Sequence, residues 1–193
     1  MENESLKEFI RQCNDIISVH GTDNPLLYEV CFFKIYAKFE HLLSDLFEKY
    51  ASGESSSLDY LPTRKLQFEN REHLRAILQD NGQQYNYTRQ IEYLSKHIFI
   101  ENPFDIIYND YDNNDIFNKM MALRNYIAHE SPKSREWYKR CCLNSKDESR
   151  YVEPHVFLKK RRRGSHKSYY TIFVETMSDI SDYLIGAIPT AHE

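Results

Sequence analysis

Three polar side chains near the end of one amphipathic segment have the chemistry that cleaves a phosphodiester. Apolar residues at helical spacing predict a helix over residues 115–129, in which Arg124 falls inside the apolar arc, about 80° from Ile116 on a helical wheel. Asn125 and His129 share the flank of that arc, at about 180° and 220°. A guanidinium binds phosphate through paired hydrogen bonds, and an imidazole transfers protons near neutral pH. These two groups suffice for RNA cleavage without a metal, with the ribose 2′-hydroxyl as nucleophile.

A long helix predicted over residues 26–51 carries a charge of opposite sign in its own apolar arc. On a helical wheel that takes Lys34 as zero, Glu40 falls at about 240°, between Phe33 and Phe47. A carboxylate on an apolar face is costly unless it is paired, so we expect Glu40 to pair with Arg124. The pair either serves the structure alone, with His129 as a surface residue, or directs Arg124 toward a substrate phosphate.

The segment 123-LRNYIAHE-130 resembles the signature of HEPN-domain ribonucleases, in which an Arg, often followed by a polar residue, precedes a His by a few residues. The resemblance covers roughly residues 5–135. It implies an up-and-down helical bundle that dimerises through the motif helix, so that two Arg/His pairs form one composite site. It also implies that Arg124 holds the scissile phosphate, that Asn125 orients the phosphate or His129, and that His129 acts as general base or acid.

The same resemblance implies a metal-independent RNA endonuclease without a cofactor, whose products carry a 2′,3′-cyclic phosphate and a 5′-hydroxyl. Members of the family act as toxins, as phage-defence effectors or in RNA processing, so an antitoxin or a defence-system protein is an expected partner. Ser131 stands where one toxin branch of the family has a tyrosine. Two other interpretations stay open: a helical interaction or regulatory module without catalysis, and an unrelated helical protein whose motif is accidental.

A basic run lies toward the C-terminus, although the chain as a whole has a net charge of −4. Its cations are Lys159, Lys160, Arg161, Arg162, Arg163 and Lys167. Such a run is a candidate phosphate-binding patch, and we expect it to bind RNA; a solvated loop is the alternative. The surrounding residues 144–170 are predicted to be a basic insertion outside the core of the resemblance.

Composition favours an all-α protein. The 193 residues include only 5 Gly and 6 Pro, fewer than a turn-rich β or α/β fold normally uses. The length is close to one domain of about 150 residues, so we expect a single HEPN-like helical domain over residues 1–193. Apolar periodicity predicts helices over 5–19, 26–51, 69–80, 86–98, 115–129, 134–143 and from 173 to 188. Loops are predicted at 53–62 and 101–114, and a small β-hairpin from 155–160 and 169–175.

The sequence contains no pattern that is typical of a metal site or of secretion. There is no CxxC and no Cys/His pair at zinc-ligand spacing, and Cys13 and Cys31 fall on apolar stripes as core residues. The N-terminus is charged, and no apolar run approaches the roughly 20 residues of a membrane span. We therefore expect a cytoplasmic protein that uses no metal and does not enter a membrane.

Overall fold

The computed structural model describes residues 1–78, 87–145 and 147–187, and the regular structure in these residues is helical. The helices are α1 (Glu4–His20), α2 (Leu27–Ser52), α3 (Arg71–Leu78), α4 (Tyr87–Ile98), α5 (Asp105–Tyr108), α6 (Tyr111–His129), α7 (Pro132–Cys142), α8 (Pro154–Lys159) and α9 (Tyr169–Leu184). The predicted all-α class is confirmed. None of these helices has the length and apolarity that a membrane span requires.

Glycine ends the long helix α2 where the sequence predicts. Gly53 adopts a φ of +92°, a conformation that L side chains rarely take. The guanidinium of Arg64 occupies the space that a Cβ of Gly53 would need, and it donates to the carbonyl of Ala51 at 2.9 Å. The predicted ends of the helices at residues 80 and 188 lie outside the described residues.

Two predictions of irregular or extended structure are wrong. The predicted loop 101–114 contains α5, and α6 begins at Tyr111, where the carboxylate of Asp112 favours a helix N-terminus. The predicted hairpin strands at 155–160 and 169–175 are α8 and the first part of α9. Pro154 begins α8, in the position where a missing N–H costs nothing. A single antiparallel bridge, from Arg161 to Ser168, is the extended pairing between these two helices.

The chain groups into two compact units, each assembled from separate stretches of sequence. The first unit comprises Met1–Ser5, Lys38–Asp110 and Ser178–Glu193. The second unit comprises Leu6–Ala37 and Tyr111–Met177. The single domain over residues 1–193 stays a prediction.

In the first unit, the N-terminal residues are fixed by polar contacts. The carboxylate of Glu2 accepts hydrogen bonds from the Lys49 ammonium and from the Ser57 amide, both at 2.7 Å. Burial favours a higher pKa for Glu2, but these hydrogen bonds outweigh it and lower the pKa to about 2. Asn3, fully buried, donates to the carboxylate of Asp182 at 2.6 Å. The first residues are therefore part of this unit's packing.

The second unit has an aromatic core to which α2, α6, α8 and α9 all contribute. The Phe32 ring packs on Phe173 with centroids 5.7 Å apart, and Tyr36 lies 6.4 Å from Phe117. Phe157 of α8 lies 6.2 Å from Phe173. All five rings are buried, and rings of this size supply much of the apolar area that a core removes from water. This core holds α6, and with it the motif residues Arg124, Asn125 and His129.

Candidate functional site

The motif residues occupy the C-terminal part of α6, just before a sharp turn into α7. α6 ends at His129, and Glu130 then adopts a left-handed conformation with a φ of +45°. Ser131 caps α7, because its hydroxyl accepts a hydrogen bond from the Ser134 amide at 3.2 Å, and Pro132 follows in the first turn. A non-glycine residue in this conformation costs about 1–2 kcal/mol. The turn is therefore held by its surroundings, and Ser131 has a structural role.

Aromatic contacts fix the last turns of α6 against α7. The Tyr126 ring stacks on the buried Tyr138 of α7, with centroids 5.2 Å apart and planes 9° apart. The Tyr126 hydroxyl lies 2.9 Å from the hydroxyl of Tyr151, which donates to the Glu153 carboxylate at 2.9 Å. Burial raises the pKa of Tyr138 and of Tyr151, so both phenols stay protonated at neutral pH. These contacts set the position of α6 while His129 stays exposed.

The guanidinium of Arg124 contacts an amide and an aromatic ring. Its Nη1 donates a hydrogen bond to Oδ1 of Asn125 at 2.9 Å. The same guanidinium lies over the ring of Phe33 on α2, 5.9 Å from the ring centre, a distance at which a cation is attracted to the ring's face. Arg124, Asn125 and Phe33 are all half-buried. An amide and an aromatic face therefore set the direction of this cation.

His129 is exposed at the last residue of α6 and makes no hydrogen bond or ion pair with the described part of the chain. It follows Asn125 by one turn, about 6 Å along the helix axis, on the same side of the helix. Arg124 departs from the helix about 140° away from His129. The hydrogen bond to Asn125 draws the guanidinium toward the side on which His129 lies. Asn125 thus holds the guanidinium toward the side of α6 on which His129 lies.

Glu40, the predicted supporting residue, is half-buried on α2. Its backbone carbonyl accepts a hydrogen bond from the Ser44 hydroxyl at 2.9 Å. Glu40 belongs to the first unit and Arg124 to the second. Their ion pair stays a prediction.

The basic run forms a tight turn between α8 and α9, which we call the basic turn (residues 159–167). The amide of Arg162 donates to the Lys167 carbonyl at 3.1 Å, and the amide of Tyr169 donates to the Lys160 carbonyl at 3.0 Å. Gly164 lies at the tip with a φ of +79°. Two cross-turn hydrogen bonds therefore present the basic side chains on an ordered backbone.

The cations of the basic turn differ in what they contact. The Lys159 ammonium lies 5.7 Å from the centre of the Tyr28 ring, and Lys167 pairs with Glu175 at 2.8 Å. Four side chains make no hydrogen bond or ion pair with any described residue: Lys160, Arg161, Arg162 and Arg163. Of these four, Arg162 is half-buried and the others are exposed. These four cations are the ones available to an anionic partner.

Arg162 and Arg163 also line a cavity of about 180 Å³ in the second unit, together with Lys119 of α6. The Lys119 side chain is only 12% exposed and forms an ion pair with Asp115, one turn earlier on α6. The sequence does not single out Lys119, because an Asp and a Lys four residues apart are ordinary on a solvated helix face. Lys119 becomes a candidate binding residue only because the fold places the basic turn beside α6.

The cysteines and the other metal-ligating side chains do not form a metal centre in the described residues. No three His, Cys, Asp or Glu side chains of those residues come together as metal ligands. Cys13 and Cys31 are buried, as the apolar stripes predict. Cys142 is also buried, and burial raises its pKa well above that of an ordinary thiol.

Comparisons of this chain with family models, with curated proteins and with solved structures gave no match. The link to HEPN-domain ribonucleases therefore depends on the residues of the motif. The geometry of α6 shows what those residues are able to do.

Proposed function

We propose that this protein is a metal-independent RNA endonuclease of HEPN type. The observation that carries the proposal is the hydrogen bond from Arg124 to Asn125 near the end of α6, with His129 exposed one turn later on the same side. A fixed guanidinium can neutralise charge on a phosphate, and an exposed imidazole can exchange protons with a bound substrate.

In the proposed reaction, the ribose 2′-hydroxyl attacks the adjacent phosphorus and the 5′-oxygen of the next nucleotide leaves. The 2′-oxygen loses a proton and the leaving oxygen gains one, so the products are a 2′,3′-cyclic phosphate and a 5′-hydroxyl. Arg124 stabilises the extra negative charge on the phosphorus in the transition state. His129 performs one of the two proton transfers, and Asn125 keeps the guanidinium directed toward the phosphate.

A homodimer through the motif helix completes the proposed site. Two proton transfers need two groups, and a second copy of the chain supplies a second His129. α6 keeps a mixed face of Met121, Asn125 and Ala128, of which Ala128 is exposed and the others are half-buried. A twofold axis brings the same patch of both subunits together, so the proposed interface requires this face to complement itself.

RNA is the proposed substrate because the second unit also carries the basic turn. Its four unpaired cations lie on a backbone that cross-turn hydrogen bonds order, and phosphate contacts of this kind supply most sequence-independent affinity for nucleic acid. The motif's resemblance further suggests a toxin or a phage-defence effector, with an antitoxin or a defence-system protein as partner.

A second candidate function is a helical interaction module that keeps the motif without catalysis. The interaction module is favoured by one observation: no described side chain orients the imidazole of His129. A general base is usually held in place by a hydrogen bond from its second ring nitrogen. The two candidates differ in a simple assay.

The test is incubation of the purified chain with RNA in EDTA. We expect Arg124→Ala and His129→Ala each to lower cleavage by about 100-fold or more, the scale of charge-stabilising and acid–base groups. His20→Ala is the matched control, because His20 is also an exposed histidine at the last residue of a helix. Cleavage by both motif variants at the wild-type rate contradicts the site, and an inactive wild type favours the interaction module.

A further inference from the structure

The cavity beside the basic turn has the composition of an anion site that is separate from the motif residues. We infer that it holds one phosphate group of the RNA strand. The identity of the strand as RNA rests on the proposed function, whereas the phosphate chemistry rests on the cavity itself. Arg162 and Arg163 line it together with Lys119 and Asp115 of α6.

The charges in this cavity are not balanced by the described residues. Lys119 has a partner in Asp115, but the guanidinium groups of Arg162 and Arg163 donate no hydrogen bond there. Three cations therefore meet one carboxylate. Two neighbouring guanidinium groups repel each other, and a bound phosphate both removes that repulsion and accepts their paired hydrogen bonds.

Lys119 adds an ammonium on a largely buried side chain to the site. An ammonium has three N–H donors, and Asp115 accepts from one of them. The Lys119 side chain is 12% exposed, and that of Asp115 is 45% exposed. A phosphate that enters the cavity can accept a hydrogen bond from an N–H of Lys119 that Asp115 does not use.

The cavity is small. Pockets for drug-sized ligands measure about 300–1,000 Å³, and this cavity measures about 180 Å³. This volume suits a small anion such as a phosphate group. Tyr169, Ile172 and Asn144 also line the cavity. Asn144 is held in a left-handed conformation, with a φ of +49°, just after α7.

The position of Lys119 on α6 relates the cavity to the motif. Lys119 precedes Arg124 by five residues, which is about 7.5 Å along the helix axis and about 140° around it. The cavity and Arg124 therefore lie on different sides of α6, and a strand that contacts both has to pass around the helix.

Two double variants of the basic turn test the inference with the same loss of charge. Arg162→Gln with Arg163→Gln removes the cavity's guanidinium groups, and Lys160→Gln with Arg161→Gln removes two exposed cations that do not line it. The probe is a 2′-O-methylated RNA, which cannot be cleaved through a 2′-hydroxyl. We expect the cavity pair to weaken binding about tenfold more than the control pair, the effect of losing hydrogen bonds to a charged group.

A variant of Lys119 and a free anion provide independent readouts. Lys119→Met keeps the length of the side chain and should also weaken binding of the probe. Inorganic phosphate should compete with the probe for wild type but not for the Arg162/Arg163 variant. A gain in affinity from a 5′-phosphate on the probe assigns the cavity to a strand end, and no gain assigns it to an internal phosphate. Equal weakening by the two double variants, or phosphate competition that is unchanged in the cavity variant, overturns the inference.

These outcomes separate the cavity from the proposed activity. A wild type that cleaves RNA while the two double variants bind alike keeps the proposed function and removes the phosphate subsite. If wild type does not cleave RNA, but phosphate competes only when Arg162 and Arg163 are present, the phosphate subsite is kept and the proposed function is removed.

Discussion

The guanidinium of Arg124 donates a hydrogen bond to the side-chain amide of Asn125, its neighbour on α6, at 2.9 Å. Consecutive side chains leave a helix about 100° apart, so this bond requires the arginine to bend around the helix. It bends toward the side on which His129 follows one turn later. A flexible four-rotor side chain is thereby held in one direction before any substrate arrives, and that preorganisation is what a charge-stabilising group needs.

Removing the amide should lower cleavage without affecting the fold. We expect Asn125→Ala to reduce kcat for RNA cleavage about tenfold, because a hydrogen bond to a charged group is worth about 1.5–3 kcal/mol. Asn118→Ala is the matched control, since Asn118 is another half-buried asparagine of α6, and its amide donates to Asn114 at 2.7 Å. Equal losses in the two variants, measured in single-turnover assays, would show that the Arg124–Asn125 bond has no part in catalysis.

The motif helix should form the interface of a homodimer. Ala128 is exposed at the end of α6, and an arginine there would place two like charges near each other across a twofold axis. We expect wild type to have twice the chain mass by light scattering, and Ala128→Arg to be monomeric with little activity. Gln90→Arg places the same side chain on an exposed position of α4 and should leave the dimer intact. An active monomer at micromolar concentration would contradict the composite site.

Binding of RNA should depend on salt through the basic turn. Each phosphate contacted on a single strand contributes about −0.7 to the slope of log K against log salt. The test variant replaces five residues with Gln: Lys159, Lys160, Arg161, Arg162 and Arg163. It should flatten this slope and leave the cleavage rate of bound RNA unchanged. An unchanged slope would mean that the basic turn is a solvated surface.

The N-terminal carboxylate should stabilise the fold only above acidic pH. The pKa of Glu2 falls from an ordinary 4.5 to about 2 in the folded chain, so its stabilisation is complete above pH 4.5 and is lost as the pH falls toward 2. We expect Glu2→Gln to lower the free energy of unfolding by about 1 kcal/mol at pH 7, and by progressively less below pH 4.5. Urea unfolding measures this difference. Glu101→Gln, at an exposed site, is the control variant.

The helices that carry the motif could be predicted because their signals are local. Apolar periodicity located α2 and α6, and Gly53 marked the end of α2, since only its positive φ and lack of a Cβ suit the approach of Arg64. The start of α6 was predicted a turn too late. Asn residues suggest loops, but in α6 they lie on the helix and hydrogen-bond one another, as Asn118 does with Asn114.

The error at residues 155–175 has a different cause. A short apolar run looks the same whether it is a buried strand or a buried helix. Phe157 stacks on Tyr169 at 4.3 Å and packs on Phe173, so these side chains form a helical core that period alone does not distinguish from a sheet. Tertiary packing therefore determines that these residues are helical.

The candidate site also has a part that local sequence signals predict and a part that only the fold brings together. Arg124, Asn125 and His129 lie on one helix, so their spacing in sequence already fixes their order around it. The cavity needs Lys119 of α6 to meet Arg162 and Arg163 of the basic turn. Residues that far apart in sequence meet only through the fold, and no pattern of spacing predicts their contact.

The most direct test of the proposed reaction is the chemistry of the cut ends. Wild type should be incubated in EDTA with an RNA of defined sequence, and with the same RNA carrying one 2′-deoxynucleotide at the cleavage position. Mass spectrometry should find a 2′,3′-cyclic phosphate and a 5′-hydroxyl at each cut, no cut at the deoxy position, and no fragments with His129→Ala. Fragments that end in a 5′-phosphate, or cleavage at the deoxy position, would contradict attack by the 2′-hydroxyl and with it the roles of Arg124 and His129.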